Sequence, residues 1–184
     1  MTAKILLSAT LALLASVSAF GAADANNGET TPIGVSLRLG GFFPLDRAAR
    51  NEANVWVNGG LDYKLKDLGE FQMKKGNKPL VVGQTAALTL SLDYTGKGDW
   101  SSVPVHVNYM LSSANTFYFA GLGVAFTRYP TSSGDTQSKA RFSYQLGVGF
   151  DLTTGRTPVF AQVKYIGSDQ ARFAGLAASV GIRF

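Results

Sequence analysis

Apolar residues fall at every second position in eight separate stretches of this chain, with small or polar residues between them. In residues 174–184, Ala174, Leu176, Ala178, Val180, Ile182 and Phe184 form one side, and Gly175, Ala177, Ser179, Gly181 and Arg183 the other. The same alternation runs through residues 33–43, 53–66, 83–95, 103–112, 118–127, 140–152 and 159–166, although Phe160 and Ile166 break the polarity of the seventh. Alternation over about ten residues predicts a strand with one apolar face, and helical spacing fits these stretches less well. A strand as regular as the last one needs a partner, because chain ends otherwise fray. Pairing it with the first strand closes the sheet, which predicts an all-β, eight-stranded antiparallel up-and-down barrel over residues 33–184.

The apolar faces carry no charge, whereas the opposite faces hold Arg38, Asp62, Lys64, Asp93, Arg141, Asp151, Lys164 and Arg183. Such segregation has a cause if the apolar side meets hydrocarbon, where a mid-bilayer Arg or Lys costs about 2–4 kcal/mol. A soluble lipocalin-like barrel, with its apolar face turned inward around a ligand, has the same alternation. The polar faces are mostly Gly, Ser, Ala and Asn, which suits a narrow filled lumen, so the apolar-out, transmembrane arrangement is expected. Phe43, Tyr63, Tyr94, Tyr118 and Tyr165 recur near strand ends as interfacial aromatics. Four connections are polar (residues 44–52, 96–102, 129–138 and 167–173) and two are tight turns near residues 113–115 and 153–156. Residues 67–82 are too long for a turn; they either extend both strands as a hairpin or form a separate excursion.

Composition agrees with a wall that is not wetted. Charged residues are 16% of the chain, against roughly 25% in soluble domains. The net charge of +5 is scattered rather than clustered, so no nucleic-acid footprint is present. There is no cysteine, which excludes disulfides and thiolate metal sites. Lys4 followed by the apolar residues 5–15 and a run of small residues predicts a signal peptide over residues 1–25, cleaved somewhere in 19–25. A short segment, 26–32, leads into the barrel.

The chain resembles the small eight-stranded outer-membrane barrels of the OmpA, OmpX and OmpW kind. The likeness is carried by residues 118–126 (YFAGLGVAF), residues 159–165 and the ending Ala178-Ser179-Val180-Gly181-Ile182-Arg183-Phe184. The resemblance implies a monomer in a bacterial outer membrane, surrounded by its lipid, with both termini inside. It also implies that Val180, Ile182 and Phe184 are the signal read by the barrel-assembly machinery. It does not specify an activity, and a peptidoglycan-anchoring role is not expected.

Candidate chemistry is sparse. His106, the single histidine, stands beside Asn108 on a lumen face and reads as a hydrogen-bonded interior residue. No metal or catalytic constellation accompanies it, and no cofactor is expected. The in-strand charges are the stronger lead: Arg38 is expected to pair with Asp62, and Arg183 with Asp151, within one lumen network of all eight charges. Trp100, Arg128, Tyr129 and Arg172, near loop bases, are expected to anchor the rim in lipid headgroups. These residues predict a non-enzymatic protein with a plugged lumen and a structural or surface-interaction role. A narrow channel for small or hydrophobic solutes is the second reading.

Overall fold

A computed structural model of the chain describes residues 34–75, 78–131, 134–153 and 157–184. The expected signal peptide and the segment 26–32 lie outside the described residues. Eight antiparallel strands close in chain order into one barrel. They are β1 (Val35–Pro44), β2 (Trp56–Lys75), β3 (Lys78–Lys97), β4 (Trp100–Ser113), β5 (Thr116–Pro130), β6 (Thr136–Asp151), β7 (Val159–Ser168) and β8 (Gly175–Arg183). Closure is made by β1 and β8, with Leu39 opposite Val180 and Ser36 opposite Arg183. Beyond the ladder, Gly34 N donates to Phe184 O at 3.0 Å and Phe184 N to Val35 O at 2.7 Å. Val180 and Ile182 face outward, and Phe184 is half-buried.

The apolar faces point out. Leu39, Val57, Leu122, Phe126, Phe142, Leu146 and Val180 are each more than half exposed. The interior holds Ser36, Arg38, Asn58, Ser91, Asp93, His106, Asn108, Ser143, Gln145, Gln162, Lys164 and Ser179, all buried. The inward apolar face of a soluble ligand-binding barrel is therefore not found. Val35 departs from the pattern: it lies on the outward parity yet is 7% exposed.

The barrel has two unlike ends. One carries the start of β1, the end of β8 and the β4–β5 and β6–β7 connections, and is called the terminal end. There β2 and β3 run on past their neighbours, since β1 stops at Val35 opposite Tyr63 and β4 at Ser113 opposite Gln84. Residues 67–75 and 78–82 thus belong to a projecting hairpin, which resolves the two sequence-based readings. Its ladder shifts register between Lys64 and Lys66 and again between Asp67 and Gly69. Gly69 supplies a left-handed φ of 84°. Such bulges twist a strand and blunt its open edge.

The other end, the loop end, carries the connections β1–β2, β3–β4, β5–β6 and β7–β8. A helix, α1 (Arg47–Glu52), stands where a polar loop was expected. Asp46 caps it, its Oδ1 accepting from Ala48 N at 2.9 Å and Ala49 N at 3.1 Å. Those two bonds satisfy amides that the first turn leaves without partners. A single 3₁₀ turn, Ala171–Phe173, sits in the β7–β8 connection.

Candidate functional site

The lumen is occupied in three layers. At mid-height the side chains form a closed polar ring. The Arg38 guanidinium pairs with Asp62 through Nη1 and donates from Nη2 to Asp93 Oδ1 at 2.7 Å. Lys164 Nζ donates to the other Asp93 oxygen at 2.6 Å and to Gln145 Oε1 at 3.0 Å. Gln145 Nε2 donates to Asn108 Oδ1 at 2.6 Å, and Asn108 Nδ2 to Ser91 Oγ at 2.7 Å. Ser91 then returns its proton to Asp62 Oδ1 at 2.5 Å, closing the circuit.

The ring is balanced, two cations against two carboxylates. The Arg38, Asp93 and Lys164 side chains are at most 1% exposed. Charges withdrawn from water this completely persist only when paired and hydrogen-bonded. The two-residue period delivers them inward, and register sets their heights. Asp62 faces Ser36, one step below Arg38, whereas Asp93 faces Gly60, the residue opposite Arg38. One guanidinium thereby reaches two carboxylates on different strands.

The expected single network of eight charges divides into separate groups. Arg38, Asp62, Asp93 and Lys164 make the ring. Lys64 instead pairs with Asp67 at 3.0 Å near the base of the projecting hairpin, where both are partly solvated. Arg141 pairs with Asp169 at 3.6 Å at the loop end. Arg141 stands four residues along β6 from Gln145 of the ring, whereas Lys64 is only one inward step from Asp62 and turns instead to Asp67. Arg183 meets Asp151 at 3.1 Å, at the terminal end. Its guanidinium also lies over Phe117 and Phe160, 5.3 and 5.2 Å from the ring centroids.

Above the ring an aromatic cap fills the loop end. Phe42, Trp56, Trp100, Tyr129, Ile166 and Phe173 are buried together, with Ala49 of α1 at 0% exposure closing the cluster. Trp56 lies 5.8 Å from Phe42, 6.1 Å from Trp100 and 6.2 Å from Phe173, centroid to centroid. Trp100 and Tyr129 are 8% and 7% exposed, so they are not lipid-facing rim anchors. The sheet directs them inward, and Arg172 covers them with its guanidinium 6.0 and 5.8 Å from their rings. Below the polar ring, Phe117 and Phe160 pack edge to face at 5.7 Å.

His106 lies in the same interior at 0% exposure. Its Nε2 is 2.9 Å from Ser143 Oγ, whose own proton goes to Gly167 O at 2.9 Å. Ser143 therefore accepts from an Nε2–H rather than giving its proton to the imidazole. A serine activated by a general base requires the opposite direction. No group of three metal-ligating side chains exists among the described residues.

On the outer wall the expected aromatics are sorted by end. Phe43 and Tyr94 ring the loop end and Tyr63 and Tyr118 the terminal end, all about half exposed. Tyr165 is half-buried, its ring 6.0 Å from that of Tyr144.

An eight-stranded closed barrel with a polar, side-chain-filled interior and an apolar outer wall between aromatic girdles is the architecture of a small transmembrane β-barrel. No protein-family model matches the chain, and no curated protein matches its sequence. Among solved structures it is similar to the N-terminal β-barrel domain of Pseudomonas aeruginosa OprF, at a TM-score of 0.48 and 13% identity over 84% of this chain and 98% of that one. It is also similar to the Yersinia pestis outer membrane protein Ail, at a TM-score of 0.43 and 14% identity over 82% of this chain and 98% of that one.

Proposed function

We propose that this protein is an integral, non-enzymatic barrel of a bacterial outer membrane, with a plugged lumen and a structural or surface-interaction role exercised through its loop end. The observation that carries the reading is the wall itself. Leucine, valine, phenylalanine and tyrosine side chains stand exposed all around the barrel while arginine, lysine and aspartate pair inside it. In water such a wall would be a large apolar patch and an aggregation liability. In hydrocarbon it is the low-energy arrangement, because closure leaves no backbone group without a partner.

A signal peptide, outer-membrane lipid as solvent and assembly through the Val180, Ile182 and Phe184 pattern complete the reading. The aromatic cap and the ion-paired ring favour a closed interior over a channel for small or hydrophobic solutes. The experiment is cell fractionation followed by gel electrophoresis of heated and unheated samples. A membrane barrel stays with the outer-membrane fraction and migrates as a compact species until boiled. Recovery in the periplasmic fraction, with no heat-dependent shift, contradicts the proposal.

A further inference from the structure

Arg128 is the one charged side chain on the outward parity of the barrel ladders among the described residues, the projecting hairpin aside. It sits on β5 two residues beyond Phe126, on the loop-end side, and is exposed. Among the described residues it makes no ion pair. Register places Ser101 of β4 directly on one side of it and Ser138 of β6 directly on the other. One strand further, Gly96 faces Ser101. The Tyr94 ring folds back over that glycine, its hydroxyl where a Gly96 side chain would stand. A phenol, a hydroxyl, a guanidinium and a second hydroxyl thus form one row across β3, β4, β5 and β6. Same-face neighbours in such a row have Cβ atoms about 5 Å apart.

Beneath the row, on the same four strands, the wall is grooved. A recess of about 720 Å³ runs over Leu88, Val107, Tyr109, Leu122, Tyr144 and Leu146. It exists because Ala120 is short, standing between Tyr109 and Leu146 in the ladder. The recess spans the levels of Leu122 and Ala120, six and eight residues from Arg128, roughly 20 and 27 Å along the strand. A strand tilt of about 40° reduces these to roughly 15 and 21 Å along the membrane normal. That is between half and about two-thirds of a 30 Å hydrocarbon core, so an acyl chain hung from Arg128 enters the recess with its far end.

We propose that this row and groove form one binding site for an anionic lipid, with an exposed phosphate on Arg128, Ser101, Ser138 and the Tyr94 hydroxyl and an acyl chain in the recess over Ala120. The proposal rests on the transmembrane reading above. A guanidinium suits a phosphate because its donors form a fork, and flanking hydroxyls supply further donors. The chain below adds contact without needing any polar group. The lipid is that of the leaflet facing the loop end.

The test uses the full folded barrel in phosphatidylcholine bilayers with trace spin-labelled phosphatidic acid or phosphatidylcholine, nitroxide near the chain end. Insertion is checked separately by the heat-dependent gel shift. Phosphatidic acid is expected to be immobilised about fivefold more than phosphatidylcholine, the contribution of one basic residue at an anionic headgroup. Arg128→Ala removes that preference while leaving the gel shift in place. Ala120→Phe lowers the immobilised fraction of both lipids by filling the groove. Equal immobilisation of the two lipids by the unmodified barrel, or a preference that survives Arg128→Ala, overturns the site. Absence of the gel shift overturns the transmembrane reading itself, and the lipid site with it.

Discussion

Gly60 faces Asp93 across the β2–β3 ladder, and the space its missing side chain leaves is filled by the Arg38 guanidinium. A Cβ at Gly60 would lie 2.6 Å from Asp93 Oδ1 and 2.7 Å from Arg38 Nη2. The mid-lumen ring therefore depends on a residue that contributes no atom to it. Gly60→Val should destabilise the barrel by about 1–3 kcal/mol, as overpacking does. Urea unfolding in lipid vesicles, followed by the fluorescence of buried Trp56 and Trp100, measures the loss.

Asp93 is the carboxylate that Arg38 and Lys164 share. Asp93→Ala leaves Lys164 buried with only Gln145, and the expected cost is about 3–5 kcal/mol, the range for breaking a buried pair. Adding Lys164→Met to Asp93→Ala restores charge balance, because Arg38 keeps Asp62. The double variant should unfold at a higher urea concentration than Asp93→Ala alone. Additive losses would mean that the two side chains do not act on each other.

The lumen is closed three times, by the aromatic cap, by the polar ring and by the Phe117–Phe160 pair below it. Trp56→Ala alone should leave planar-bilayer current at baseline, since the ring lies beneath it. Trp56→Ala combined with Asp93→Ala, Lys164→Ala, Phe117→Ala and Phe160→Ala should give discrete openings. Conductance in the unmodified barrel would favour the channel reading.

The outer wall makes a separate prediction. Leu122 is 63% exposed, midway along β5. Leu122→Lys should cost about 2–4 kcal/mol of folding free energy in a bilayer, the mid-membrane penalty for a cation. On a water-facing wall the same change would be close to neutral. Reversible folding into vesicles, compared between the two proteins, gives the difference directly.

The strand set was legible because each strand borders hydrocarbon on one side, and that forces alternation. Strand ends were less so. Residues 129–138 read as a polar connection, yet β5 continues to Pro130 and β6 begins at Thr136. Past the apolar wall both faces are wet, so the alternation fades while the backbone ladder goes on. Residues 67–75 and 78–82 likewise extend the ladder, pairing with each other and with no other described strand. Parity gave the inward face of Arg38, Asp62, Asp93 and Lys164, but only register could set their heights and exclude Arg141, and only the structure shows Lys64 drawn to Asp67. The lumen filling left a local trace: Phe42 of the cap precedes outward Phe43, and β7 is interrupted by Ile166 of the cap and by Phe160 of the layer below the ring. Each broke the pattern because it turns inward to fill the lumen. Trp100 and Tyr129 were misread as rim anchors, since position near a loop does not tell which way a ring points.

The central claim, that hydrocarbon bathes the outward side of this sheet, is tested most directly by nitroxide scanning along β5. The chain has no cysteine of its own, so single cysteines at consecutive positions from Tyr118 to Phe126 can each be labelled in bilayers. Oxygen accessibility should peak at Tyr118, Ala120, Leu122, Val124 and Phe126, with a water-soluble nickel reagent excluded from the same positions. The nickel reagent reaching Leu122 and Val124 as freely as it reaches an exposed loop site would contradict the account.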